Sequence, residues 1–217
     1  MIRLSTVMEI GNYTFPFTND VEIISTWEEL TDRAVIRVPR KIRLKKDGQF
    51  TNAITAGFNG LWKRGDTVKI FAGYDNNNDV RFEGFLTRIS PKLPLEFHAE
   101  DGMFILKQKV ISKYSKPTIK VADLLKDILP AGIEFDAEDI TLGKFVIEKA
   151  TVAEVLDYLR RKFGLACFFQ NGILHAGFAY RASSISDIAT GDLVQFQFQK
   201  ISSTILTWTI SGMMMFV

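Results

Sequence analysis

The sequence predicts an α+β fold that is mainly β. An antiparallel barrel-like β domain is expected over residues 1–110, a small α+β module over 111–190, and the first strands of a second, incomplete β domain over 191–217. Three observations carry this. Apolar and polar residues alternate between turn residues as far as residue 110. After Lys116-Pro117 the apolar spacing becomes helical, with Val121, Leu124, Leu125, Ile128 and Leu129 on one face. From Asp192 alternation returns, with Val194, Phe196 and Phe198 on one face and Gln195, Gln197 and Gln199 on the other.

Within the first region, 2–10 and 15–24 have strand composition. Residues 26–30, TWEEL, have the spacing of a capping box and predict one helical turn. RAVIRVP at 33–39 places Ala34, Ile36 and Val38 on one face and Arg33, Val35 and Arg37 on the other, a half-buried strand stopped by proline. A basic run, RKIRLKK at 40–46, leads to the turn dipeptide Asp47-Gly48. Strands at 67–72 and 80–89 flank a polar turn at 75–79. Gly84 interrupts the second where a bulge or a close backbone approach is expected, and Pro91 and Pro94 end it because neither can donate to a sheet ladder.

The module opens with a helix over 121–129, stopped by Pro130, and continues with a short strand at 144–149. A second helix begins at Thr151, with Glu154 as the reciprocal half of a capping box, an apolar stripe of Val152, Val155, Leu156 and Leu159, and Gly164 as its C-terminal cap. LACFFQ, Asn171-Gly172 and ILHAGF then form a hairpin with a type I′ turn, since both turn residues must accept positive φ.

A chain of 217 residues that is 47% hydrophobic can bury one large core or two small ones, and its 18 phenylalanines favour sheets that pack rings on one face. A net charge of +2 supplies no bulk field toward nucleic acid or membrane. The lone cysteine, Cys167, sits in the apolar run LACFF and is expected to be a buried, inert thiol. No uncharged apolar run approaches the roughly 20 residues of a membrane span, and MIRLSTVMEIGNYTF lacks the features of a signal peptide, which fits cytoplasmic synthesis. The ending MMMFV, just after the alternation of 193–210, leaves two readings: a shortened or frameshifted product, or a strand that docks intramolecularly.

Chemistry is sparse. His98 and His175 fall in separate strands and read as packed strand residues, and one cysteine gives no zinc spacing. Asp75, Asn77 and Asp79 imitate the opening of a calcium loop, but Val80 and Leu86 stand where that loop needs Gly and Glu. Glu100-Asp101 and Asp136 with Glu138-Asp139 read as solvated turn charges rather than an acid/base pair. AGFNG at 56–60 lacks the lysine and spacing of a phosphate loop, and there is no nucleophile elbow. The expectation is therefore a protein that is not an enzyme and uses no cofactor or metal. Arg40, Lys41, Arg43, Lys45 and Lys46 remain as a candidate partner-binding set; the plainer reading is a solvated strand edge whose lysines discourage aggregation, and direct nucleic-acid binding is not expected.

Laid out in this order, TDRAVIRVPRKI at 31–42, RGDTVKIFAGY at 64–74, VRFEGFLTRISPKLP at 80–94, EDGMFILK at 100–107, TVAEVLDYL at 151–159 and FFQNGILHAG at 168–177 resemble the central hub proteins of phage tail baseplates, akin to the late control protein of contractile tails and the hub part of type VI secretion spikes. The resemblance implies a structural protein of the virion tail, two related barrel-like domains per chain flanking an α+β module, a homotrimer forming a pseudo-sixfold ring, and tail tube and spike proteins as partners. It brings no catalytic residue. The departure lies at the C-terminus, where too little chain follows to complete a second barrel. The module is also similar to the small partner-binding domain of secretins and outer-membrane signalling receptors, although such proteins are exported.

Overall fold

In the computed structural model, residues 4–15, 20–26, 28–39, 41–46, 49–54, 61–75, 77–91, 94–178 and 206–211 are described; for 4, 41–44, 46, 49–54 and 206–211 the description is of the backbone. In chain order the elements are β1 (Leu4–Ile10), β2 (Tyr13–Phe15), β3 (Asp20–Ser25), β4 (Arg33–Val38), β5 (Lys41–Lys46), β6 (Gln49–Ile54), β7 (Thr67–Tyr74), β8 (Asn77–Ser90), β9 (Leu95–Glu100) and the one-turn α1 (Met103–Leu106). There follow β10 (Val110–Ile111), β11 (Tyr114–Lys116), α2 (Val121–Ile128), β12 (Phe135–Ala137), β13 (Phe145–Ile147), β14 (Ala150–Thr151), α3 (Val152–Phe163), β15 (Ala166–Gln170), β16 (Ile173–Gly177) and β17 (Leu206–Ser211). The chain divides into two compact units: one holds 31–104 with the segments before 26 and after 205, the other holds 26–30 with 105–205.

In the first unit ten strands hydrogen-bond in the order β17-β3-β4-β9-β8-β7-β1-β2-β5-β6. Every pairing is antiparallel, as the alternation predicts. Among the described residues β17 and β6 stand at opposite ends of this order, so the sheet is open and not closed into a barrel. Its inner face buries Met8, Ile10, Ile36, Ile70, Leu86 and Phe97. Trp62 fills the centre of that core: its ring stands edge-on to Phe97 at 5.0 Å and to Tyr13 at 5.7 Å.

Several local expectations are corrected. Residues 28–30 form a turn and not a helix; the Thr26 hydroxyl accepts from the Glu28 N–H at 3.2 Å, a local bond that competes with helix formation. The strand expected over 15–24 is two strands, β2 and β3, with 16–19 outside the described residues. The turn expected over 75–79 is tighter, because Asp75 adopts φ 52° and β8 already starts at Asn77, opposite Tyr74. Gly84 is a close approach: an ideal Cβ there lies 2.1 Å from the Glu100 carbonyl oxygen. The bulges fall elsewhere on β8, between the Phe82 and Val80 pairings and between Leu86 and Arg88.

The segment 206–211, read in the sequence as part of a second β region, pairs with β3 as β17, Trp208 lying opposite Ile23. Residues 192–205 of that region lie outside the described residues.

In the second unit α2 and α3 take the predicted places. Val121, Leu124, Leu125 and Ile128 are buried along α2, which ends because Leu129, preceding Pro130, is extended at ψ 147°. Thr151 caps α3 with the reciprocal Glu154 bond, and Gly164 closes it at φ 68°. β15 and β16 form the expected hairpin, with Asn171 at φ 52° and Gly172 at φ 80°. β12 joins that hairpin through a parallel pairing to β16, and β13 pairs with β11.

Candidate functional site

The residue types capable of recognition gather on the outward face of β3, β4, β9 and β8. Alternation along β4 buries Ala34, Ile36 and Val38 and turns Arg33, Val35 and Arg37 to the other side. Register sets Arg37 between Asp20 on β3 and Glu96 on β9. The Arg37 guanidinium binds Asp20, reaches Glu22 Oε2 at 3.4 Å and gives Nε to Glu96 Oε1 at 3.3 Å. These side chains are only 16% to 32% exposed, so the cluster is less screened than an ordinary surface pair. The hydrogen bond to Asp20 above all, then that to Glu96, raises the Arg37 pKa against the opposing effect of burial.

The bulge at Thr87 extends this row onto β8. Strict alternation from buried Leu86 would send Arg88 inward; the extra residue reverses the phase and sets Arg88 level with His98. The Thr87 hydroxyl donates to the His98 carbonyl at 2.9 Å and fixes the bulge. Around the His98 ring, Arg88 Nη2 lies 3.2 Å, Ser90 Oγ 3.4 Å and Glu96 Oε2 3.6 Å from Nε2. Sequence reasoning missed this row, because each strand shows only every second residue charged and the set exists only once register is known.

Of the sequence-predicted partner set, Arg40 lies outside the described residues. Lys41, Arg43, Lys45 and Lys46 lie on β5, where alternation places the first three on one strand face. Lys45 is exposed. β5 is not the edge strand that the plainer reading supposed: β6 lies outside it, while on its other side the pairing to β2 is Thr14 with Lys45.

The carboxylates weighed as acid/base candidates are placed separately. Asp101 is buried, correcting its reading as a solvated charge; its carboxylate accepts from the N–H groups of Met103 at 3.0 Å and Asp32 at 3.1 Å and so ties α1 to the start of β4. Asp136 lies 3.3 Å from His175 Nδ1, and Asp139 pairs with Lys120 at 2.8 Å. His98 and His175 are both strand residues, as expected.

No family model and no curated protein matches the sequence. Solved structures do match. The tail protein of Neisseria meningitidis MC58 superposes with a TM-score of 0.58 at 15% identity, over 80% of this chain and 50% of that one. The 43 kDa tail protein of prophage MuSo2 from Shewanella oneidensis gives 0.54 at 13% identity, over 82% of this chain and 56% of that one. This is a phage tail protein fold. The half-lidded Francisella PdpA–VgrG complex is similar at a TM-score of 0.50 and 12% identity, over 89% of this chain and 34% of that chain. The present chain thus spans about half the length of the tail proteins whose fold it shares.

Proposed function

We propose that the chain is a structural component of a phage or prophage tail baseplate hub, joining tail tube to spike through an oligomeric ring and acting without catalysis. The observation that carries this reading is the shared fold with two tail proteins over four fifths of the chain. The outward charged row of Asp20, Glu22, Arg37, Glu96, His98 and Arg88 supports it, because a rigid face of mixed sign recognises a partner by complementarity. On this reading β5, with Lys41, Arg43, Lys45 and Lys46, meets an acidic surface of the tube, the spike or a second copy.

Sedimentation of the purified chain at high concentration, followed by electron microscopy of particles that contain it, tests the proposal. A ring of three copies, or density for the chain between tube and spike, is the expected result. A monomer at every concentration, absent from the purified tails, would sink it.

A further inference from the structure

We propose that His98 is a proton-operated exchanger of hydrogen-bond partners on the outward face of the sheet, whose protonation releases the Arg88 guanidinium from the ring. This regulation goes beyond the scaffold role. It rests on the surroundings of one atom: Nε2 of His98 has Arg88 Nη2 within hydrogen-bond reach at 3.2 Å and Glu96 Oε2 just beyond it at 3.6 Å. A guanidinium offers only donors, so the Arg88 contact requires an Nε2 without hydrogen, the neutral ring carrying its proton on Nδ1. An ionised carboxylate only accepts, so Glu96, just beyond hydrogen-bond reach, can be engaged only by an Nε2 that carries hydrogen. One nitrogen cannot satisfy both. The Ser90 hydroxyl, 3.4 Å away, can donate or accept and therefore accommodates either state.

In the neutral state Arg88 donates to the ring and Glu96 is committed through Oε1 to Arg37 Nε at 3.3 Å. When a proton binds, Nε2 gains its hydrogen, the attraction to Arg88 becomes repulsion between two cations, and the ring turns to Glu96. Glu96 then serves two cations on one carboxylate, and through Arg37 the change reaches Asp20 and Glu22 on β3. The outward face gains one positive charge, and the exposed Arg88 loses its partner on the ring.

Arg88 and Ser90 from β8 and Glu96 from β9 approach the ring; by register Val35, between Arg33 and Arg37, lies opposite His98 on β4, Glu22 lies beyond Val35 on β3, and Glu100 follows two positions along β9. Arg88 opposes the charged ring and Glu96 favours it. That opposition of sign is what the experiment reads.

The ring nitrogens of the full chain, labelled with 15N, are followed by long-range proton–nitrogen correlation from about pH 5 to 8. His98→Gln separates the two histidines, and His175 serves as an internal control. The expected result is an unprotonated Nε2 in the neutral ring of the unaltered protein, with the Arg88 side-chain signals moving at the same midpoint as the ring. Arg88→Gln should raise that midpoint and Glu96→Gln lower it, each by at least about 0.2 pH unit. A neutral ring carrying its hydrogen on Nε2 would overturn the proposal without any variant. So would midpoints that move the same way in both variants, or that do not move.

Discussion

Trp62 donates its indole Nε1–H to the carbonyl oxygen of Ile10 at 3.2 Å, across 52 positions of sequence. The same ring meets Phe15 edge-on at 6.1 Å and Phe97 at 5.0 Å, so one side chain from an irregular segment completes the core of the large sheet. Trp62→Phe keeps an aromatic ring but removes the donor, and should cost about 1 to 3 kcal/mol; Trp62→Ala opens a cavity and should cost about 3 to 5 kcal/mol. Chemical denaturation followed by circular dichroism measures both. Equal and negligible losses would mean that the core closes without Trp62.

Gly84 and Gly172 look alike in the sequence and fail for different reasons when substituted. At Gly84 an added Cβ would lie 2.1 Å from the Glu100 carbonyl oxygen and 2.8 Å from its carbon, both backbone atoms of a paired strand that cannot swing aside. Gly84→Ala should therefore leave little folded protein, seen as loss of soluble yield and of a cooperative melt.

At Gly172 an added Cβ meets nothing within 4 Å, and the obstacle is φ 80° alone. Gly172→Ala should cost about 1 to 2 kcal/mol, and Gly172→Val more because a β-branched side chain tolerates positive φ least. A melting temperature unchanged in Gly172→Val would contradict the type I′ turn.

What the sequence discloses divides along the range of the interactions. The cap of α3, the Asn171-Gly172 turn and the inward face of β4 are legible because each is decided within a few residues by donors, φ preference or period two. The TWEEL segment misleads by the same logic, since its Thr26 hydroxyl closes a tight turn before a helix can propagate. Trp62 and the parallel pairing of β12 with β16 leave no local signature, because their partners are distant in the chain. The bulges on β8 obscure alternation twice, each advancing the phase by one residue, so VRFEGFLTRIS does not disclose that Val80 and Arg88 face outward. The charged row of Arg37 follows from register, which no single strand states; the basic run at 40–46 is conspicuous by comparison only because its residues are consecutive.

The capping box of α3 should show in the pH dependence of stability. The Glu154 carboxylate accepts from the Thr151 N–H at 2.6 Å and from its hydroxyl at 2.9 Å, and these bonds, the backbone one first, lower its pKa. With the folded value depressed, the stabilisation is complete above the ordinary glutamate range and is lost as pH falls through the lowered value. The melting difference between the unaltered protein and Glu154→Gln should therefore be largest near neutrality and shrink in acid. Thr151→Ala should cost about 0.5 to 2 kcal/mol at neutral pH. A difference independent of pH would show that Glu154 does not serve as an ionised cap.

Cys167 supplies the opposite sign. Its side chain is fully buried on β15, and burial above all pushes the thiol up to about 12 from an ordinary 9.0. The native thiol should be inert to a disulfide reagent at pH about 8 and react only as fast as the chain unfolds, whereas denaturant should expose it at once. Because the folded value is raised, the buried thiol's contribution is intact below the unfolded value and declines as pH climbs from there toward the folded one. Cys167→Ala loses the sulfur's packing and should melt lower than the unaltered protein at neutral pH. It also lacks the alkaline penalty, so the gap between the two should narrow above pH about 9. A gap that widened there would mean that the thiolate is accommodated in the folded core, and rapid labelling of the native protein would place Cys167 within reach of solvent.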